Sequence, residues 1–359
     1  MTCEGKVVVI TGSTRGFGHA VARALLARGA CVVISGRKQE TVDQVVAQLA
    51  GAGRVSGLAC DVSEIEQVQA LARHALQQFG RIDVWINNAG MTRFADHADL
   101  DAVMIAVPDA AHESALRVAL AGRAAVFYEP PVSNQRARME GVLALLLDSK
   151  LVTFADLELG FIPAVARAGV IVASRALGGV QTVTIRLQSG WGPLPGNDLS
   201  NANHLSTWYI DVLNRVIGGF PRRVQVLEGH GLPGRRQNRS LAHFDYGGVW
   251  GVLDVNIASV GELSILIRIE ASDGDLEADL FTGVVRWRTR NGGAWTVEDR
   301  AALRPYADWP GVHECVAAFL DAVERGQTSV NGAETVARLQ RVGLAAEESV
   351  DTGTWVTIR

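Results

Sequence analysis

The chain has 359 residues, 48% of them apolar and 20% charged, with a formal net charge of -4. Such a chain buries a full core over about two domains, and its balance excludes a disordered polymer and an extended nucleic-acid footprint. Of its 34 basic residues only Lys6, Lys38 and Lys150 are lysines. A GC-rich genome accounts for that count, yet any mechanism that needs a lysine must draw on these three, because arginine is a poor proton donor.

In chain order, 6–11 (KVVVIT) is a β-branched run that ends at a glycine. Residues 16–28 have helical spacing, with Ala20, Val21, Ala24 and Leu25 on one apolar face. Buried strands are expected at 31–35, 55–60 and 84–87 (VWIN), separated by helices near 40–51 and 63–79. The alternation continues with a strand at 102–107, a helix at 111–120, a strand at 124–128 and a helix at 133–147. Near-continuous apolar strands between helices predict a parallel sheet covered on both faces.

The texture changes near residue 150. Longer strand-like runs at 183–187, 223–227, 248–257, 263–269 and 283–288 predict a mostly antiparallel open sheet, interrupted by one helix at 204–217. Helices return at 311–325 and 333–348, and 229–240 (GHGLPGRRQNRS) reads as a mobile loop. The fold class is therefore α/β: a doubly wound, Rossmann-type parallel sheet at 1–150, then an α+β domain at 151–359 whose final helices pack back on the first domain.

Cys3, Cys31, Cys60 and Cys315 show no metal-binding spacing. Buried reduced thiols, a cytoplasmic location and no metal are expected. No apolar run reaches the ~18 residues of a membrane span, and the start moves straight into a strand, which argues against a secretory signal.

Thr11-Gly12-Ser13-Thr14-Arg15-Gly16-Phe17-Gly18 follows the first strand and opens the first helix. Glycines let the backbone turn tightly and approach a pyrophosphate, which the helix N-terminus then attracts. A plain strand-to-helix turn is the weaker reading. Cofactor choice is read after the second strand, where an acid suits the ribose hydroxyls of NAD and a base suits the 2′-phosphate of NADP. Here stand Ser35-Gly36-Arg37-Lys38, with Arg15 in the glycine loop, so NADP is expected, with NAD as the alternative.

Two family resemblances meet here. TGSTRGFG at 11–18, Asp61-Val62 and Asn87-Asn88-Ala89-Gly90 resemble the short-chain dehydrogenase/reductase family over about 1–92. The resemblance implies cofactor contacts at Gly12 to Gly18, Asp61, Val62, Asn88, Ala89 and Gly90. That family also needs a Tyr-x-x-x-Lys pair. None of Tyr128, Tyr209, Tyr246 and Tyr306 has a lysine four residues on.

From about 94 onward the chain resembles the Gfo/Idh/MocA oxidoreductases, which act mostly on sugars, inositols and related polyols. Residues 101–108 (DAVMIAVP), His112, Glu129-Pro130-Pro131, Gly160-Phe161 with Pro163, Ala176-Leu177-Gly178 and the closing helices carry this resemblance. It implies cofactor contacts at Val107 and Glu129. Pro130 stands where that family has its lysine. Counting back from Gly218, His204, Trp208 and Asp211 occupy the family's Asp-x-x-x-His-x-x-Asp positions, with spacings that share one helical face.

His204 is then the expected acid/base group, with Asp211 orienting it or the substrate and Tyr209 and Tyr128 as hydroxyl donors. The plainer alternative is that His204 caps or packs the helix and Trp208 is core. His112 reads as structural, and His97 and His243 carry no constellation. Both parents offer a strand after the third crossover, at 84–87 and 102–107, and the second is expected to pair as the next strand. The function expected is an NADP(H)-dependent oxidoreductase on a sugar-like or polyol substrate, homo-oligomeric through its open sheet, without nucleic-acid or membrane partners. The alternatives are a redox-neutral epimerase, lyase or cyclase, or an inactive dinucleotide-binding partner.

Overall fold

The computed structural model describes residues 3–88, 100–107, 109–133, 135–190, 200–229, 239–290, 293–298, 311–327 and 331–359. The chain divides into two compact units, the first within 1–133, 138–156 and 306–334, the second within 134–137, 157–305 and 335–359.

The chain begins β1 (Val7–Ile10), α1 (Gly16–Leu26), β2 (Cys31–Gly36), α2 (Gln39–Leu49), β3 (Val55–Ala59), α3 (Ile65–Phe79) and β4 (Val84–Asn87). It continues with β5 (Ala102–Ile105), α4 (Asp109–Ala121), β6 (Ala125–Tyr128), α5 (Arg136–Asp148) and β7 (Thr153–Ala155). The seven strands form one sheet in the order β3-β2-β1-β4-β5-β6-β7. Every pairing in it is parallel. Both faces of β1 and β2 are buried throughout, as their β-branched runs require when helices cover both sides. On one face Val9, Val33 and Trp85 pack against Val68, Leu71 and Ala75 of α3.

The two strands that both resembled families offer lie side by side. Val84 is level with Ala102 and Asn87 with Ile105, so β5 simply follows β4. Lys6 fastens the junction at the amino end of the sheet, donating to Asp101 (2.6 Å) and to Asp83 (3.4 Å). Because the strand order reverses between β1 and β4, the carboxyl ends of these strands form the crevice where open α/β sheets bind ligands.

After a 3-10 turn at Glu158–Phe161 come α6 (Pro163–Ala173), β8 (Val180–Gln188), α7 (Asn201–His204), α8 (Ser206–Ile217), β9 (Arg223–Gly229), β10 (Arg239–Asp245) and β11 (Trp250–Asn256). β12 (Ser264–Ala271), β13 (Gly274–Asp279), β14 (Val285–Thr289), β15 (Thr296–Glu298), α9 (Val312–Arg325), α10 (Ala333–Thr352) and β16 (Val356–Thr357) close the chain. The second sheet has nine strands in the order β15-β14-β13-β12-β8-β11-β10-β9-β16. It is antiparallel except where β11 pairs parallel with β8. Alternating burial along β10 and β12 leaves one face apolar and inward and the other solvated. Of the closing helices, α9 belongs to the first unit, where Arg28 donates to Asp321 across from α1, while most of α10 belongs to the second.

Several expectations need correction. The single helix at 204–217 is two: α7 ends at His204, Leu205 is a turn residue, and α8 starts at Ser206. The ends of the supposed mobile loop are strand, since Gly229 closes β9 and Arg239-Ser240 open β10 in register with it; Arg235 and Arg236 lie outside the described residues. Helix α6 and strands β7, β10, β13, β15 and β16 were not foreseen. All four cysteines are buried thiols.

Candidate functional site

The glycine loop is locked to β4 by Asn88. The Asn88 side-chain amide donates to the carbonyl oxygens of Thr11 (3.0 Å) and Gly12 (2.9 Å), and its backbone N–H donates to Thr11 Oγ1 (3.0 Å). Thr11 Oγ1 in turn donates to the Ile86 carbonyl (3.2 Å). A side chain at Gly18 would put its Cβ 2.5 Å from Asn88 Nδ2, so glycine is required there for Asn88 to reach the loop.

Gly12 and Gly16 have positive φ (65° and 60°), a region that favours glycine. Open space surrounds the Cβ position of Gly16. Arg15, at the N-cap of α1, makes no side-chain cap, and the first turn holds no acidic residue. The orphan N–H groups of the helix start are therefore not capped by Arg15, in a field that favours an anion. These residues fit the pyrophosphate of a dinucleotide. Ser13 does a different job: its hydroxyl donates to Ile10 O (2.8 Å) and accepts from Ser35 N (2.9 Å), pinning the loop to β2. Thr14 rests on Gly36, where a Cβ would meet its methyl at 2.8 Å.

Beyond β2, Arg37 is exposed, and the Asp61 carboxylate lies within its electrostatic reach. Asp61 accepts from Ser63 N (3.0 Å) and Ser63 Oγ (2.7 Å). Those bonds, with help from Arg37, hold its carboxyl below the usual carboxylate range. Val62 packs against the α3 core cluster. Phe17 belongs to the first turn of α1. Ala89, Gly90, His97 and Tyr306 lie outside the described residues.

At the far side of the same sheet, β6 leads to Glu129 and the cis Pro130–Pro131 bond. The N–H of Glu129 donates to Ile105 O (3.0 Å), and Val107 lies just past the carboxyl end of β5. Tyr128 is fully buried; burial pushes its phenol above the usual range, and its hydroxyl has no hydrogen-bond partner among the described residues. His112 is buried too, its Nδ1 within 3.0 Å of the Val132 carbonyl and its ring 6.0 Å from that of Tyr128. The lysines lie elsewhere. Lys6 is ion-paired at the amino end of β1, Lys150 is exposed ahead of β7, and Lys38 is exposed after β2.

In the second unit, the His204 ring stands edge-on to Trp208 at 6.3 Å between centroids despite the helix break. His204 is 8% exposed and its Nδ1 has no hydrogen-bond partner among the described residues. Burial lowers its pKa to about 4, so the imidazole is neutral at pH 7. Asp211 is not joined to His204 by any hydrogen bond in the described structure; it accepts from Arg215 Nε at 2.6 Å. Burial raises the Asp211 carboxyl and Arg215 opposes that rise. The Arg215 guanidinium also lies over the Phe161 ring at 4.9 Å. A Cβ at Gly160 would sit 2.3 Å from Arg215 Nε, which explains the glycine before Phe161. Asp211 thus ties α8 to the 3-10 turn. Tyr209 is buried, its phenol raised first by burial and then by the charge of Glu158.

Sequence reasoning missed Asp156, a buried carboxyl in the first unit. It follows β7, a three-residue strand that shows no periodicity of its own.

The glycine loop and its Asn88 brace carry a recognisable sequence. Residues 6–107 match the short chain dehydrogenase family model. An uncharacterized oxidoreductase, YvrD, of Bacillus subtilis (strain 168) is 43% identical over 95 residues, 26% of this chain and 36% of that relative. Tropinone reductase-like 3 of Erythroxylum coca is 43% identical over 94 residues, again 26% of this chain and 36% of the relative. The match thus spans about a third of the length of these curated relatives.

The whole fold resembles other proteins. An oxidoreductase domain protein from Kribbella flavida has a TM-score of 0.70 at 18% identity, covering 99% of this chain and 100% of its own. Levoglucosan dehydrogenase in complex with NADH gives 0.70 at 15% identity, covering 99% of both. GenD2 from gentamicin A biosynthesis, in complex with NAD, gives 0.68 at 18% identity, covering 100% of this chain and 98% of its own. The chain thus shares the fold of these oxidoreductases, and its segment at 6–107 within that fold is similar to short chain dehydrogenases.

Proposed function

We propose that the chain is an NADP(H)-dependent oxidoreductase acting on a sugar-like, polyol or related hydroxylated substrate. The observation that carries this reading is the Asn88-braced glycine loop, whose open Cβ position at Gly16 and helix start left uncapped by the Arg15 side chain suit a pyrophosphate. Arg37 and Arg15 support NADP, because guanidinium groups suit the 2′-phosphate. The substrate class is taken from neighbours such as levoglucosan dehydrogenase. The four buried thiols suit a cytoplasmic location, and exposed Leu227, Trp250 and Leu266 on the second sheet suit a homo-oligomer.

A bound nicotinamide would supply or accept the hydride. The α1 start would hold the pyrophosphate, and Val107 and Glu129 would receive the ribose and nicotinamide side; in the second unit, His204 is the group proposed to meet the substrate oxygen. As a neutral imidazole, His204 gives or receives a hydrogen bond at that oxygen rather than carrying a standing positive charge. Tyr128 and Tyr209, with phenols pushed upward by burial, keep their protons at neutral pH.

The test is to mix the protein with NADPH or NADP and a panel of sugars and polyols, following the nicotinamide absorbance. A substrate-dependent change supports the proposal. Substrate conversion with no net nicotinamide change replaces it with a redox-neutral reaction. Failure of either nicotinamide to stabilise the fold overturns cofactor binding altogether.

A further inference from the structure

Glu129 and Asp156 occupy the next rung after Tyr128 and Ala155, which are level in the parallel pairing of β6 and β7. The ladder continues past the strands, since the N–H of Asp156 donates to Tyr128 O (2.9 Å) and that of Glu129 to Ile105 O (3.0 Å). The two carboxyl groups are therefore neighbours at the carboxyl edge of the sheet, and their side chains are hydrogen-bonded to each other. Two carboxylates cannot hydrogen-bond without a proton between them, because an ionised carboxylate only accepts.

Asp156 is 2% exposed. Its second contact is the thiol of Cys315 on α9, which donates to it. Asn331 stands behind that thiol, with Nδ2 3.7 Å from Cys315 Sγ and 3.0 Å from the Ala155 carbonyl. The Asn331 carbonyl accepts from Ala155 N (2.9 Å), closing the bracket. Glu129 is less buried than Asp156. Among the described residues, the titratable groups acting on Asp156 are thus Glu129 from β6 and Cys315 from α9.

We infer that Glu129 and Asp156 share one proton, and that Asp156 is a positioning residue which fixes the direction and charge of the Glu129 carboxyl toward the cofactor. The inference rests on the dinucleotide reading above. With the proton shared, the pair carries one negative charge and Glu129 is held in line with β6. Without it, two adjacent carboxylates repel, Glu129 swings away, and a second negative charge faces an already anionic cofactor. Burial raises the Asp156 carboxyl above the usual carboxylate range, with Cys315 and Glu129 pulling the other way.

The experiment compares the wild type with Asp156→Asn, whose amide keeps a donor for Glu129 but holds no titrating proton. NADPH affinity is measured by titration between about pH 6 and pH 8.5, and unfolding of the cofactor-free protein over the same range. The 2′-phosphate of NADPH titrates alike in both proteins, so their difference isolates the pair. The wild type is expected to lose at least about fivefold in affinity over that range relative to the variant. Its unfolding temperature is also expected to fall against the variant's as pH rises, because the folded state holds a proton that the unfolded chain has lost. Parallel profiles in both measurements overturn the shared proton. A difference in unfolding alone overturns the role toward the cofactor. A wild type that binds neither NADPH nor NADH at any pH defeats the dinucleotide reading instead, while unfolding still decides the shared proton.

Discussion

Asn88 holds the glycine loop from outside, its amide donating to the carbonyls of Thr11 at 3.0 Å and Gly12 at 2.9 Å. Its own position depends on Gly18, the residue whose Cβ would collide with it. A motif residue at the end of β4 therefore shapes a loop that follows β1, and the two motifs are one structural unit.

Removing either member should loosen the cofactor site. Asn88→Ala leaves two loop carbonyls without a donor, a loss of about 1–3 kcal/mol by the usual cost of unmade buried hydrogen bonds. Gly18→Ala displaces Asn88 and should reproduce that loss. Both variants should bind NADPH at least about tenfold more weakly, read by calorimetric titration. Unchanged affinity in Gly18→Ala would show that Asn88 does not brace the loop.

On the proposed reading, Arg37 sets the choice between NADP and NAD. Arg37→Ala should weaken NADPH by about tenfold, the scale of one charge-assisted phosphate contact, while NADH changes little. Equal losses for both would assign Arg37 to general electrostatics.

The proposed acid/base role of His204 and its burial can be tested together. His204→Ala should lower turnover at least about tenfold, within the range usual for acid–base groups. The imidazole's folded pKa, about 4, lies below its ordinary value. The folded state then binds fewer protons than the unfolded one between these values. Its contribution to stability is present above the ordinary histidine range and is lost as pH falls toward 4. His204→Gln should flatten that part of the curve of unfolding temperature against pH; an unchanged curve would place the histidine in solvent.

The Asp211–Arg215 pair predicts a structural defect. Arg215→Leu leaves a buried carboxylate without its partner and should destabilise by on the order of 2 kcal/mol, less than a fully buried pair would cost because Arg215 is partly exposed. Gly160→Ala should act in the same direction by crowding Arg215. Chemical denaturation gives both numbers, and a neutral Arg215→Leu would remove the pair from the folding account.

The first sheet was legible because its signals are local. β1, β2 and β4 are short runs buried on both faces, each next to a glycine or helix signal, and their bounds agree with the sequence to within about a residue or two. The second sheet was harder. β13 reads Gly-Asp-Leu-Glu-Ala-Asp, and only Leu276 and Ala278 point inward, so it lacks the apolar density of a strand. β10 was hidden because Arg239 and Ser240 extend a run of loop-like residues, and its identity comes from pairing with β9 and β11. Helix α6, an Ala- and Val-rich run, carries almost no polar stripe to mark its period.

The site divides the same way. The glycine loop and Asn88 were readable as motifs. The partner of Asp211 was not: Arg215 lies four residues on, but which acid it meets depends on Gly160 and Phe161, some fifty residues earlier in the chain. Asp156 meets Glu129 only because β6 and β7 are neighbours in register, which no local pattern encodes.

The central claim is that this chain uses a nicotinamide dinucleotide, and thermal unfolding with added NADPH or NADH tests it most directly. Bound NADPH at about a hundred times its Kd should add roughly 2.7 kcal/mol to stability. A clear rise in unfolding temperature is expected with NADPH, a smaller rise with NADH, and in Asn88→Ala at most about half the wild-type gain from NADPH at the same concentrations. An unfolding temperature that neither nicotinamide moves, up to millimolar concentrations, would contradict it.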